Sequence, residues 1–177
     1  MKIIGIDPGT LHTGYGIINY EQNEVSLIYA GVINTSPKKD LSERLKVIYD
    51  EVNQLIKIYQ PDEFSIETAF FGKNIQSALK LGHARGVAFL AAAHNGLVVN
   101  EYSPREIKRA VVGNGAATKE QVQYMIQNIL KTKKELKFDI SDALAIAVCH
   151  AFRLKTFSKG KTSWSAFIKA NPDRIKE

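Results

Sequence analysis

One cysteine, Cys149, stands among 177 residues, which removes a disulfide framework and a cysteine-ligated zinc site from consideration. A lone thiol fits a reducing compartment, and the cytoplasm is the expected location. Histidine occurs four times, as His12, His83, His94 and His150, without metal-ligand spacing. The apolar stretches are too short, or too broken by charge, to cross a bilayer, so no membrane association is expected. The first residues already read as a strand bearing a carboxylate, so no signal peptide is expected. Internal repeats are absent. What remains is a chain with 45% hydrophobic residues, too apolar to be disordered and long enough for one domain with a real core.

Acidic and basic residues are segregated. Residues 1–72 carry 6 basic and 10 acidic side chains, and residues 135–150 carry 1 and 3. Residues 73–134 carry 10 basic and 3 acidic, and residues 151–177 carry 7 and 2. The net charge of +6 therefore hides acidic segments beside basic ones. Carboxylates that attract metal ions, next to Lys and Arg that neutralise a phosphate backbone, form the pattern expected of a metal nuclease.

The run Met1-Lys-Ile-Ile-Gly-Ile-Asp-Pro-Gly-Thr10 is a β-branched strand ended by Pro-Gly, with Asp7 inside it. A carboxylate in a buried strand is costly unless a partner offsets its desolvation, and a divalent ion serves several such groups at once. Phe64-Ser-Ile-Glu67 is a second apolar strand with its carboxylate at the end. Phe138-Asp-Ile-Ser-Asp142 opens a helix with Asp139 and Asp142 at i, i+3, on one face. Four carboxylates on two strands and one helix can build an oxygen-rich site for Mg²⁺ or Mn²⁺. Singly, Asp7 also reads as a turn residue and Asp139 as a helix cap, but that requires four coincidences at once.

The organisation supports the same picture. Residues 2–7, 14–20 and 25–33 read as a three-strand meander with a polar turn at Glu21-Gln-Asn-Glu24. Asp40, with Glu43 three residues on, reads as a capping box, and Leu41, Leu45, Ile48, Val52, Leu55 and Ile56 mark the buried stripe of a helix ended by Pro61. The strand at Glu67, a long helix from about Asn74 to His94 and a fifth strand at residues 97–102 follow. Pro104 opens a short helix, Thr118 with Gln121 caps another, and the Asp139 helix closes the fold. A meander followed by alternating helix and strand gives an α/β fold: a five-stranded mixed sheet flanked by helices on both faces. The nuclease domain is expected over residues 1–155, with 156–177 a basic, flexible tail.

Taken together, Gly-Ile-Asp-Pro-Gly-Thr10, Thr13-Gly-Tyr-Gly16, Ile66-Glu67, Lys73-Asn74, Ser77-Ala-Leu-Lys-Leu-Gly82, Ala84-Arg-Gly-Val-Ala88, Val111-Val-Gly113 and Asp142-Ala-Leu-Ala-Ile-Ala147 resemble the RuvC family, from about the first residue to about residue 152. That resemblance implies a ribonuclease H-like fold, with the first and fourth strands parallel neighbours. It implies a Holliday junction endonuclease of recombination and repair, acting as a homodimer through the long helix. The products would be paired symmetric nicks with 5′-phosphate and 3′-hydroxyl ends. Asp7, Glu67, Asp139 and Asp142 match the family's catalytic, metal-binding carboxylates, the Asp139 position being one where some members have His. Two Mg²⁺ ions per site are implied, with Mn²⁺ able to substitute, and a branch-migration complex of the RuvA and RuvB families is the implied partner beside four-way junction DNA.

Phe70 and Phe71 follow Glu67 on a loop, where two adjacent rings cannot easily both point inward, and an exposed ring can stack on an unpaired base. By resemblance, Phe70 probes bases at the junction centre. Lys73, Lys80, Arg85, Lys108, Arg109 and Lys119 are the phosphate candidates, Lys119 at a helix N-terminus that also favours an anion. His150 reads as a core or interface residue, His83 as an interface residue and Cys149 as buried and inert. The alternatives are a non-catalytic junction-binding module and an actin-like ATP-binding lobe; a single lobe of this length disfavours the latter, and retention of all four carboxylates the former.

Overall fold

Five strands form one mixed sheet in the order β3-β2-β1-β4-β5. The structure, a computed structural model, describes residues 1–68, 75–132 and 136–159. β1 (Lys2–Asp7), β2 (His12–Glu21) and β3 (Glu24–Asn34) make the expected antiparallel meander. Its second turn is Gln22-Asn23, both at positive φ (50° and 67°), the handedness that matches the twist of a two-residue hairpin. β4 (Glu63–Glu67) then pairs with β1 in parallel, and β5 (Val99–Tyr102) pairs with β4 in parallel.

Strand residues alternate between two cores. Ile4, Ile6, Ile17, Phe64 and Ile66 point to one face and pack on α1 (Leu41–Tyr59) and α2 (Ile75–His94). From α1 come Ile48, Val52, Leu55 and Ile56, as the stripe predicts; Leu41 and Leu45 lie only half-buried at its start. From α2 come Ala84, Ala88, Ala91 and Ala92, all fully buried. Ile3 and Ile18 point to the other face, covered by α3 (Pro104–Val112), α4 (Lys119–Ile129) and α5 (Phe138–Lys159). α5 is apolar almost all round from Ala143 to Cys149, every residue of which is buried; such a helix belongs at the centre of a layer. It runs to Lys159, past the boundary expected near residue 155.

Capping departs from expectation at one helix and exceeds it at another. Asp40 caps α1 by backbone conformation alone and makes no side-chain cap hydrogen bond. A box there would bring the Asp40 and Glu43 carboxylates onto one turn, where they repel. Neutral hydroxyls succeed: Thr118 and Gln121 close the expected box on α4, and Ser103 with Glu106 closes an unforeseen one on α3. Among the described residues no helix is long and apolar enough to cross a membrane.

Candidate active site

Asp7 and Glu67 are the last residues of the parallel neighbours β1 and β4. Ile6 pairs with Ile66, so the next residue on each strand places the two carboxylates side by side at the carboxyl edge of the sheet, the usual ligand edge of α/β folds. Both share the α5 face with Gly5 and Ser65, two residues earlier.

Glycine brings α5 close enough to join them. A Cβ on Gly5 would overlap the Ala143 carbonyl and lie 2.7 Å from the Ala147 nitrogen. Gly14, paired with Asp7 across the β1–β2 ladder, would place a Cβ onto the Asp139 carbonyl. The helix backbone therefore rests on strand backbone, and its first turn, with Asp139 and Asp142, is pressed against the end of β1. The turn after Asp7 is tied down as well. The fully buried Thr13 hydroxyl donates to the Gly9 carbonyl at 2.6 Å and accepts from the Gly9 N–H at 3.3 Å.

A cavity of about 360 Å³ results, and Asp7, Glu67, Asp142, Lys108 and Lys119 are among its lining side chains. Asp139 is not in the lining, but its charge is felt there. Burial first, then the charges of Glu67 and Asp142, with a smaller contribution from Asp139, push the Asp7 carboxyl up from 3.8 to about 7; Lys119 opposes them. Glu67 is pushed up from 4.5 to about 6 by burial and Asp142, against Lys119, Lys108 and Arg85. Lys119 Nζ donates to Asp142 Oδ2 at 2.6 Å, and that bond raises the lysine pKa.

Carboxylates that raise one another's pKa form a site short of positive charge. The all-oxygen donor set suits a hard divalent ion, and the Lys119 ammonium is the cation it already holds, so the residues fit Mg²⁺ or Mn²⁺. Among the described residues, no three His, Cys, Asp or Glu side chains converge tightly enough to form a metal shell by themselves.

The other expected residues divide. Lys108 and Lys119 reach the cavity. Arg109 is exposed on α3 and Lys80 on α2. Arg85 does not stand free: its guanidinium pairs with Glu101, its side chain is only 16% exposed, and it lies over the Phe89 ring at 5.0 Å. Phe70, Phe71 and Lys73 lie outside the described residues. His150 is a core residue, its Nδ1 2.6 Å from the Tyr102 hydroxyl and its Nε2 facing Glu63 at 3.4 Å without hydrogen-bond geometry. Cys149 is buried, and burial pushes its thiol up to about 12. His83 is exposed on α2. The part of Thr13 in holding the turn after Asp7 was not foreseen.

The family model for crossover junction endodeoxyribonuclease RuvC matches residues 3–150, a span that contains every carboxylate of the site. The chain belongs to the RuvC family. The RuvC protein of Cytophaga hutchinsonii is 45% identical over 175 residues, covering 98% of this chain and 88% of that one. That of Salinibacter ruber is 42% identical over 179 residues, covering all of both. Among solved structures, T. thermophilus RuvC in complex with Holliday junction substrate superposes with a TM-score of 0.84 at 34% identity, covering 89% of this chain and 97% of that one. The fold of this RuvC family member is the ribonuclease H-like one that the sequence motifs imply.

Proposed function

We propose that Asp7, Glu67, Asp139 and Asp142 hold divalent metal at the cavity and that phosphodiester hydrolysis takes place there. The chain is an endodeoxyribonuclease that resolves Holliday junctions in recombination and repair, as its family membership supports. The observation that carries the site is the convergence of Asp7, Glu67 and Asp142 with Lys108 and Lys119 around one cavity.

RuvC nucleases are metal-dependent. Two Mg²⁺ ions, with Mn²⁺ as substitute, would activate a water for attack on the scissile phosphorus and stabilise the departing 3′ oxygen. The carboxylates' part is to hold and orient: Asp7 and Glu67 from rigid strand ends, Asp142 and Asp139 from the first turn of α5. Lys108 and Lys119 neutralise the phosphate as it enters. Water adds across the P–O3′ bond, leaving a 5′-phosphate and a 3′-hydroxyl. Lys80 and Arg109 extend the electrostatic grip, and Phe70, Phe71 and Lys73 are further DNA contacts by the family resemblance.

Cuts on opposing strands need two sites related by symmetry, and a C₂ homodimer supplies them. The outer side of α2 supports this reading: Leu79 and Leu90 are 60% and 48% exposed, and a Cβ on Gly82 or Gly86 would meet open space. The working location is the cytoplasm, with proteins of the RuvA and RuvB families as branch-migration partners.

Cleavage of a synthetic mobile four-way junction, with and without Mg²⁺ and beside a linear duplex of the same sequence, tests the reading. Symmetric, ligatable nicks on the junction alone, absent without metal and in Asp7→Asn, are expected. Binding without nicks would leave only a junction clamp.

A further inference from the structure

A second depression adjoins the carboxylate cavity. It has a volume of about 910 Å³ and lies between the first turns of α3 and the loop that joins α3 to α4. Pro104 and Lys108 line both depressions, so one runs into the other. Among the described residues, its other charged lining residues are Arg105 and Arg109, and no carboxylate lines it.

These three cations sit at i, i+3 and i+4, on one face of α3. The acid of the same turn is engaged elsewhere. Glu106 Oε2 accepts from the Ser103 N–H at 3.0 Å and from its hydroxyl at 2.8 Å, and Oε1 lies 3.3 Å from Arg153. Among the described residues, no ion pair ties Arg105, Lys108 or Arg109 to a carboxylate, in contrast to Arg85 and Lys119.

The loop opposite is shaped to the arginine. Gly113 ends α3 at φ 84°, and Asn114 Oδ1 accepts from the Ala116 N–H at 3.0 Å to hold the turn. A Cβ on Gly115 would lie 2.6 Å from Arg105 Cγ and 3.3 Å from its Nε, so the loop backbone rests directly against the Arg105 stem. Two arginines and a lysine with no internal acid, set in a groove, form a receptor for an anion that carries several charges in a row.

We infer that this groove is a second phosphate subsite. It takes the backbone of the strand cut in the adjoining cavity, with Arg105 and Arg109 as its own cations and Lys108 shared between the two. The inference rests on the nuclease reading of that cavity. A strand carries a phosphate at every nucleotide, so one that crosses the carboxylates continues over whatever adjoins them. Phosphate contacts fix register without reading sequence, which is the grip a structure-selective enzyme needs.

The test is the salt dependence of binding to a synthetic four-way junction, measured in an Asp7→Asn background so that the DNA stays intact. Each lost phosphate contact reduces the slope of log K against log salt by about 0.9. Arg105→Gln and Arg109→Gln should each reduce it by that step. Together they should shrink the affinity loss between 50 and 200 mM salt about twelve-fold. Lys57→Gln, in the last turn of α1 on the opposite layer, should leave the slope unchanged. An unchanged slope in the arginine variants, or an equal change in Lys57→Gln, would overturn the subsite. Failure of the nuclease reading is a separate result: the unmodified protein would then leave the junction uncut in Mg²⁺.

Discussion

Lys119 Nζ and Asp142 Oδ2 lie 2.6 Å apart, joining the first residue of α4 to the first turn of α5. The ammonium also lowers the pKa of Asp7 and Glu67, so one lysine offsets the charge of three carboxylates. Lys119→Met should therefore destabilise the metal-free protein by less than about 1 kcal/mol at pH 8, because the lysine side chain is 61% exposed and solvent screens it, and by still less at pH 5, where the raised carboxyls are largely protonated. Urea unfolding in EDTA at the two pH values measures the difference; an equal loss at both would contradict the electrostatic account.

Raised carboxyl pKa values have a definite sign in stability. Between the unfolded value of 3.8 and the folded value of about 7, Asp7 binds more protons in the folded state; Glu67 does so between 4.5 and about 6. The unfolded state therefore holds fewer protons, and metal-free stability falls as pH rises from about 4 to about 7. If the proposed site holds metal, millimolar Mg²⁺ should bind the folded state in preference to the unfolded chain and recover the lost stability at pH 8. Thermal melts across this range, with and without the ion, decide it; stability that climbs with pH in EDTA is the contrary result.

Asp7→Asn removes the most strained of these charges and keeps the shape of the side chain. Nicking should fall below detection, while the metal-free melting temperature at pH 8 rises by several degrees, on the order of 1–3 kcal/mol. Junction affinity in EDTA should not drop. A variant that is inactive and also less stable would point to misfolding instead.

Gly14→Val tests how α5 is seated. A Cβ there has no room beside the Asp139 carbonyl, so the helix must back away from β2. A loss of about 2–4 kcal/mol is expected, together with a weaker response of the melting temperature to Mg²⁺, because Asp139 and Asp142 retreat with the helix. An unchanged Mg²⁺ response in a folded variant would show that the site does not depend on this contact.

Much of the site was legible because its signals are local. Asp7 and Glu67 each end a β-branched strand, and Asp139 and Asp142 share a helix face by spacing alone. The helix stripes and the Thr118 box have the same local origin. The pairing of Arg85 with Glu101 was not legible, because the two lie 16 residues apart on different elements, and what a cation meets depends on what folds against it. The Asp40 box failed for a neighbouring reason: the pattern matched, but both partners carry the same charge.

The sequence by itself determined which side chains could bear the chemistry and which elements carry them, since period, turn residues and apolar runs act over a few residues. The tertiary structure alone decided which of them meet. Parallel pairing of β1 with β4 sets Asp7 beside Glu67, and the bare backbones of Gly5 and Gly14 let α5 descend until Asp142 joins them. Those contacts link residues about 60 to 140 positions apart, and only packing against a shared core selects them.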